Sequence, residues 1–242
     1  MGDDDDRKDQ LPAARKSAEV EAFLRQVKAM PALRPASGRG RLIFALDATA
    51  SREPTWDRAC QIQGEMFEAT AALGGLEVQL VYYRGFGECK ASRWLSAAAE
   101  LHRAMRSVSC IGGETQIERV LAHALKEARA GRVNALVFVG DAMEENVDAL
   151  CRLAGELGLL GVRLFLFHEG GDDIAGAAFR QMARLSGGAY CPFDPGSARQ
   201  LRELLGAVAA YAAGGAPALA DYGKRTGGAA LLLAGRVGEA KT

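Results

Sequence analysis

Three short segments of the sequence carry oxygen-bearing side chains at positions that suit a divalent cation. In the first, DATAS, the side chains of Asp47, Thr49 and Ser51 alternate directly after the apolar run LIFAL. The second, GGET, ends at Thr115 before a helical pattern, and the third ends at Asp141 after the apolar run VNALVFVG. Carboxylate and hydroxyl oxygens are the ligands preferred by hard cations such as Mg²⁺. The five side chains therefore predict a metal site, provided that the fold brings the three segments together.

Each segment also has an ordinary explanation, because side chains of these types often cap the first turn of a helix. In this alternative, Thr49 or Ser51 caps a helix that begins near Pro54, Thr115 caps the helix 116–130, and Asp141 caps the helix 144–158. A cap is the more common role for any one of them. The same coincidence in three segments of one chain favours a shared site.

Apolar runs of strand length alternate with helical patterns from residue 41 onward. Strands are predicted at RLIFAL, LEVQLVYYR, VNALVFVG, GVRLFLFHE and GAYCPF, with a hairpin or edge strand in GFGECKASRW. Helices are predicted over 54–73, 95–108, 116–130, 144–158, 173–186 and 196–213. This alternation predicts a Rossmann-like, doubly wound α/β fold, with a mainly parallel sheet, one antiparallel edge strand and helices on both faces. Such sheets bind ligands beyond the carboxyl ends of their strands, where the three segments fall.

The two ends of the chain differ from this central part. Residues 1–13 include four consecutive aspartates and are predicted to be a disordered acidic tail. Residues 14–40 are predicted to be an amphipathic helix and a linker, with one apolar stripe of Val20, Phe23, Leu24, Val27 and Met30. We expect this helix to pack on the domain, and a docking role for a partner is the alternative. Residues 213–242 are predicted to be a Gly/Ala-rich tail.

The composition limits the classes of partner. The chain has 242 residues, 49% of them hydrophobic, which is enough for one large domain with extensions. Its 30 basic and 30 acidic side chains cancel, so there is no general attraction to nucleic acid or to an anionic membrane. The N-terminus has no apolar signal region, no apolar run is long enough to span a membrane, and the cysteines are isolated. A cytoplasmic protein is therefore predicted.

The three segments, in their order and separations, resemble the metal-ion-dependent adhesion site (MIDAS) of von Willebrand factor A (VWA) domains, and the chain resembles intracellular bacterial members of that family. The family pattern is DxSxS after the first strand, a distant threonine in a GGxT-type loop, and an aspartate after the fourth strand. Here the elements read Asp47-x-Thr49-x-Ser51, Gly112-Gly113-Glu114-Thr115 and Gly140-Asp141-Ala142. The segment RQMARLSGGAYCPFD is similar to the family's final helix and strand.

The resemblance covers about residues 41–212 and departs from the family pattern in two of the three segments. Thr49 replaces the usual serine and keeps a hydroxyl, whereas Gly140-Asp141-Ala142 replaces the usual TDG. The resemblance implies a VWA-like domain that binds proteins and is not an enzyme. It also implies Mg²⁺, or Mn²⁺ or Ca²⁺ in its place, held by Asp47, Thr49, Ser51, Thr115 and Asp141. An acidic residue of a partner would complete the shell, and AAA+ ATPases or chaperone-type proteins are the expected partners.

One enzymatic alternative fits the first segment. DATAS matches the DxTx[ST] motif of haloacid dehalogenase-type phosphatases, in which the first aspartate, here Asp47, is the nucleophile. The remaining roles would fall to an acidic metal loop in VGDAMEEN, with Asp141, Glu144 and Glu145, and to a phosphate-binding pair, Thr115 and Lys126. However, Thr115 does not follow a clear apolar strand, and Lys126 lies within a helical pattern.

A third hypothesis needs no metal. In it the chain is a structural scaffold that recruits partners through residues 14–30 and 216–236. Other chemistry is not indicated, because the sequence contains no GxSxG elbow, no P-loop and no HExxH motif, and its three histidines are far apart.

Overall fold

The computed structural model describes residues 22–23, 25–27, 40–53, 76–193, 205–214, 218 and 221–222. Several predicted segments lie outside these residues: the tail 1–13, the helix 54–73, most of the leading helix and residues 223–242.

A six-stranded sheet forms the centre of the described structure. Its strands are β1 (Gly40–Asp47), β2 (Leu76–Arg84), β3 (Glu88–Ala91), β4 (Ala135–Gly140), β5 (Arg163–Glu169) and β6 (Ala189–Phe193). They lie in the order β3-β2-β1-β4-β5-β6, and every neighbouring pair is parallel except β2 with β3. The predicted Rossmann-like, mainly parallel sheet with one antiparallel edge strand is therefore confirmed.

Four α-helices have bounds within the described residues: α1 (Ala98–Arg106), α2 (Ile117–Ala130), α3 (Val147–Leu159) and α4 (Asp173–Leu185). A 3₁₀ turn (Ala50–Arg52) follows β1, and residues 22–23, 25–27 and 205–214 are also helical. The predicted start of α3, at residue 144, is wrong. That helix begins at Val147 because the Asn146 side chain accepts a hydrogen bond of 3.0 Å from the Ala149 amide and so caps its first turn.

Both faces of the sheet are buried, as the alternation of side chains along β1 requires. Leu42, Phe44 and Leu46 share one core cluster with α1 and with the helical segment 205–214. Ile43 and Ala45 point to the opposite face and share a second cluster with α2, α3 and α4. Because β1 is apolar on both faces, its position at the centre of the sheet follows from its sequence.

The described part of the leading helix packs against the same sheet. Phe23 is buried, and its ring centroid lies 5.4 Å from that of Phe167 and 6.2 Å from that of Phe165. Gln26 donates a hydrogen bond of 2.8 Å to the Gly188 carbonyl. Phe23 and Val27 are therefore part of the core. None of the helices in the described segments combines the length and the apolar character needed to cross a lipid bilayer.

The sheet order determines where a ligand could bind. β1 lies between β2 and β4 in the sheet. The chain passes from β1 to β2 on one side and returns later to β4 on the other side. Crossovers on opposite sides of β1 leave a crevice at the carboxyl ends of β1 and β4, which is the common ligand position in doubly wound sheets. Asp47 and Asp141 lie at these two strand ends.

Candidate metal centre

Asp47 is the last residue of β1, and its carboxylate is fully buried, with 0% exposure. Its Oδ1 accepts a hydrogen bond of 2.8 Å from the Thr49 amide, which closes a turn of the kind that aspartate favours after a strand. Its Oδ2 accepts a hydrogen bond of 2.9 Å from the hydroxyl of Tyr83, its neighbour in register on β2. These two bonds fix the carboxylate at the entrance to the crevice.

The carboxyl end of β4 lies directly beside Asp47. A methyl group at Gly140 would be 3.7 Å from the Asp47 Cβ and only 2.7 Å from the ring of Phe138. This contact explains why glycine stands where the family pattern has threonine, since the Phe138 ring takes the space that a side chain would need. Asp141 follows at once, and its Oδ1 is buried without a hydrogen bond from the described residues.

The hydroxyls of DATAS lie together at the end of this segment. The Thr49 Oγ1 is 3.0 Å from the Ser51 Oγ, within hydrogen-bond distance. Thr49 is largely buried, whereas Ser51 is exposed. Thr49 precedes the 3₁₀ turn, but its side chain makes no capping hydrogen bond to that turn. Its oxygen therefore remains available as a ligand, together with that of Ser51.

The GGET loop contacts both of the other segments. The Ile111 amide, at the start of this loop, donates a hydrogen bond of 3.1 Å to the Ala48 carbonyl of DATAS. At its other end, the Thr115 amide donates a bond of 3.0 Å to Glu144 Oε2, and the Thr115 hydroxyl donates to Glu145 Oε2. The Thr115 Oγ1 also accepts a bond of 3.0 Å from the Glu144 amide. The fold thus joins all three predicted segments.

The capping alternatives for Thr115 and Asp141 are wrong. The N-cap position of α2 belongs to Gln116, which makes no side-chain cap, and Asn146 caps α3. The Thr115 hydroxyl and the Asp141 carboxylate are therefore not needed to begin a helix. The proposed helix near Pro54 lies outside the described residues, so the capping role of Thr49 or Ser51 for that helix stays a prediction.

The electrostatics of the centre favour a cation. Burial raises the pKa of the Asp47 carboxyl above its ordinary value, hydrogen bonds from Thr49 and Tyr83 lower it, and the charge of Asp141 raises it further. Burial and the nearby charge of Asp47 hold the pKa of the Tyr83 phenol well above its usual range, so Tyr83 remains a hydrogen-bond donor at neutral pH. Two carboxylates in a poorly solvated crevice repel each other, and a divalent ion would relieve that repulsion.

The set of donor atoms fits a hard cation. All five predicted ligands offer oxygen, and the unpaired Oδ1 of Asp141 gives this centre a buried acceptor without a donor. Within the described segments, however, no group of three or more His, Cys, Asp or Glu side chains is arranged to hold a metal. Two carboxylates and three hydroxyls would therefore have to do so, with water, which is a donor set suited to Mg²⁺.

Sequence reasoning missed three side chains that complete this centre. Tyr83 supports Asp47, but the contact depends on the register of β1 with β2, which no local pattern reveals. Glu144 and Glu145 hold Thr115, although the sequence suggested them only as members of an acidic phosphatase loop. Their position in the loop after β4, within hydrogen-bond distance of Thr115, comes from the fold.

Replacement of Tyr83 by phenylalanine tests the support of Asp47. Tyr83→Phe removes the buried donor to Asp47 Oδ2, so we expect the free energy of unfolding at neutral pH to fall by about 1–3 kcal/mol. Urea denaturation would measure the change. Tyr82→Phe, at the adjacent, partly buried position of β2, is the matched control and should leave stability nearly unchanged. Equal effects of the two substitutions would contradict the role of Tyr83.

Replacement of Gly140 by threonine tests the explanation of the GDA segment. Gly140→Thr introduces the residue that VWA domains usually have in this segment, but its Cβ would meet the Phe138 ring at 2.7 Å. We therefore expect a loss of about 1–3 kcal/mol in the free energy of unfolding, measured by urea denaturation. Gly155→Thr is the control, because a Cβ at Gly155 meets nothing within 4 Å. A Gly140→Thr variant as stable as the parent would show that Phe138 does not exclude a side chain.

Comparison with known proteins finds similar folds among solved structures but no related sequence. No protein-family model matches the chain, and no curated protein matches it. The SpRpn10 VWA domain has a TM-score of 0.54 and 14% identity, over 72% of this chain and 95% of that domain. Proximal thread matrix protein 1 from the mussel byssus, with a zinc-occupied MIDAS motif, has a TM-score of 0.57 and 14% identity, over 71% of this chain and 46% of its own.

The pilus adhesin SpaC from Lactobacillus rhamnosus GG has a TM-score of 0.58 and 11% identity, over 78% of this chain and 31% of the adhesin. The chain thus spans less than half the length of the mussel protein and of the adhesin, and nearly all of the SpRpn10 domain. Identities this low describe the fold alone. The mainly parallel six-stranded sheet with helices on both faces is a VWA-like fold.

Proposed function

We propose that this chain is a protein-binding module whose binding depends on a divalent cation at the crevice between β1 and β4. Asp47, Thr49, Ser51, Thr115 and Asp141 would hold the ion, with Mg²⁺ as the expected metal and Mn²⁺ or Ca²⁺ as substitutes. The ion would supply a positive charge that attracts a carboxylate. The partner would therefore be a protein that presents an aspartate or glutamate, and AAA+ ATPases or chaperone-type proteins are the classes we expect.

One observation carries this proposal: two carboxylates lie at adjacent strand ends, and one of them has a buried oxygen without a donor. Buried acceptors are normally satisfied, and buried charges are normally paired or bound to metals. The hydroxyl pair of Thr49 and Ser51 adds two neutral ligands beside them. The zinc-occupied MIDAS motif of the mussel protein with a similar fold also supports the proposal.

The charges of the centre explain why a partner should contribute an acidic group. Asp47 and Asp141 supply only two carboxylates, and the hydroxyls of Thr49, Ser51 and Thr115 carry no charge, so the ion would keep a coordination position open to a further anionic oxygen. Mg²⁺ commonly keeps several waters that other oxygen ligands can replace. A carboxylate from a partner is the oxygen ligand with the strongest attraction to the ion, so partner binding should be lost when the metal is removed.

Replacement of Asp141 by asparagine separates metal binding from stability. Asp141→Asn removes the charge that opposes Asp47, so we expect the metal-free variant to be at least as stable as the metal-free parent. Its affinity for Mg²⁺ should nevertheless fall at least about tenfold, measured by calorimetric titration. At a free Mg²⁺ concentration about 100 times the Kd, the parent should gain about 2.7 kcal/mol in unfolding free energy, and the variant should gain much less.

The control for this experiment is Asp148→Asn, because Asp148 is an exposed carboxylate in the first turn of α3 that is not one of the five predicted ligands. It should bind Mg²⁺ as the parent does. Ser51→Ala should also weaken Mg²⁺ binding without unfolding the protein, since Ser51 is exposed. A parent protein that shows neither a heat of Mg²⁺ or Mn²⁺ binding nor a change in stability would overturn the proposal.

The phosphatase alternative places a different demand on Asp47. As a nucleophile, its carboxylate would have to reach a phosphorus atom, but it is fully buried and both oxygens accept hydrogen bonds. This environment suits a fixed ligand better than an attacking group, and we therefore prefer the binding module. Turnover of an aryl phosphate in the presence of Mg²⁺, lost in Asp47→Asn, would reverse that preference.

A further inference from the structure

The turn between β2 and β3 displays a phenylalanine to solvent. Phe86 is 83% exposed, whereas most large apolar side chains of the described residues are buried. It lies between Gly85 and Gly87, whose φ angles of 59° and 128° fall in the left-handed region that favours glycine. The backbone on both sides of Phe86 is therefore shaped to form a tight turn with this side chain at its tip.

Side chains from α2 hold this turn in place. The amide nitrogen of Gln116, Nε2, donates hydrogen bonds of 3.0 Å to the Gly85 carbonyl and 3.2 Å to the Arg84 carbonyl. Arg119 donates a bond of 2.5 Å to the Gly87 carbonyl on the other side of Phe86. An exposed phenylalanine at the tip of a fixed turn loses little further freedom when a ligand covers it, which favours binding.

The same turn lies against the GGET loop of the candidate metal centre. A Cβ at Gly113 would fall 2.2 Å from the Gly85 carbonyl oxygen, so the two backbones are in direct contact and only glycine fits. Arg84 donates a bond of 2.8 Å to the Ser109 carbonyl, which ties the start of this loop to β2. The position of Phe86 is therefore linked to the loop that carries Thr115.

A second exposed apolar side chain lies on that loop. Ile111 is 44% exposed, and its amide donates to the Ala48 carbonyl between Asp47 and Thr49. Ile111 thus borders the first segment of the centre, and Phe86 borders the second. We call these two side chains the apolar platform.

We propose that the apolar platform binds an apolar side chain of the partner segment whose acidic residue completes the cation site. The inference rests on the proposed function, because the carboxylate determines where the segment sits. The occupant is a peptide segment of another protein in which an aspartate or glutamate lies within a few residues of a leucine, isoleucine, methionine or phenylalanine. The ion would provide attraction, and the platform would select the sequence around the acidic residue.

This occupant follows from the neighbours of the platform. The loops that carry Phe86 and Ile111 contact the loops of the proposed cation site, which would take a carboxylate, and Glu114 is an exposed acidic residue close to Ile111 in the chain. A basic segment would meet the ion's positive charge, and a wholly acidic segment would leave the platform uncovered. An acidic residue close to an apolar one satisfies both parts of the surface.

A peptide selection would test the inference. Peptides with a fixed central glutamate and randomised neighbours are captured on the immobilised full chain in Mg²⁺, released with EDTA and sequenced. We expect the parent to enrich apolar residues near the glutamate. The double variant Phe86→Ser/Ile111→Ser should still capture glutamate peptides that EDTA releases, but these peptides should not be enriched in apolar residues. It should bind the best parent peptide about tenfold more weakly than the parent does.

Leu159→Ser is the matched control, because Leu159 is 90% exposed at the end of α3, where the chain leads into the start of β5. It should select the same peptides as the parent. Apolar enrichment that is absent from the parent, or unchanged in the double variant, would overturn the inference and leave the proposed function standing.

Two other outcomes would assign the surface differently. If no peptide is released by EDTA, the inference fails, and a Mg²⁺ titration of the same protein shows whether the cation site fails with it. If the parent self-associates in sedimentation and the double variant does not, the platform is an interface between two copies of this chain, which also overturns the inference.

Discussion

The buried carboxylate of Asp47, at the end of the central strand β1, constrains the rest of the centre. Asp47 ends β1 with no exposure to water, and a charge in such a position is costly unless it is paired. Tyr83 and the Thr49 amide give it hydrogen bonds, but no basic side chain within the described residues forms an ion pair with it. Asp141 on the neighbouring strand adds a second negative charge instead. A protein that gained only stability from this site would be better served by apolar residues, which is why a ligand is the more reasonable explanation.

The geometry around Asp47 is held by contacts between each pair of the three loops. Ile111 joins the GGET loop to DATAS, Glu144 joins it to the β4–α3 loop, and the backbone of Gly140 lies against Asp47. Because each loop contacts both of the others, a shift of one would disturb the whole crevice. Such mutual support positions side chains more accurately than three independent loops would.

Much of the fold could be predicted from sequence because β1, β4 and β5 are continuous apolar runs, which are typical of strands buried on both faces. The same runs predicted where β1 and β4 end, and therefore that Asp47 and Asp141, which stand at those ends, lie close together. The start of α3 was missed because the acidic residues at 144 and 145 resemble the first turn of a helix, whereas they lie before the Asn146 cap. The start of a helix depends on which residue caps its first turn, and here Asn146 provides that cap.

The contacts that complete the centre could not be predicted, because they depend on distances across the fold. Tyr83 reaches Asp47 only in the observed register, and a shift of one residue would turn its side chain to the other face. The GDA segment departs from the family pattern because of Phe138, two residues earlier on the same strand and on the same face. The sequence contained both residues, but only the structure shows that they compete for one space.

The two glutamates after β4 determine which attraction remains for an acidic partner. A helix N-terminus is a natural position for an anion, and α2 begins beside the crevice. However, Glu145 already accepts a bond of 3.1 Å from the Glu118 amide in the first turn of α2, and Glu144 accepts one from the Thr115 amide. These carboxylates occupy one amide of the first turn of α2 and one amide just before it, and they add negative charge near the crevice. The negative charge of Glu144 and Glu145 would repel a partner's carboxylate. In the proposed binding mode, the attraction would therefore have to come from the cation and not from the helix.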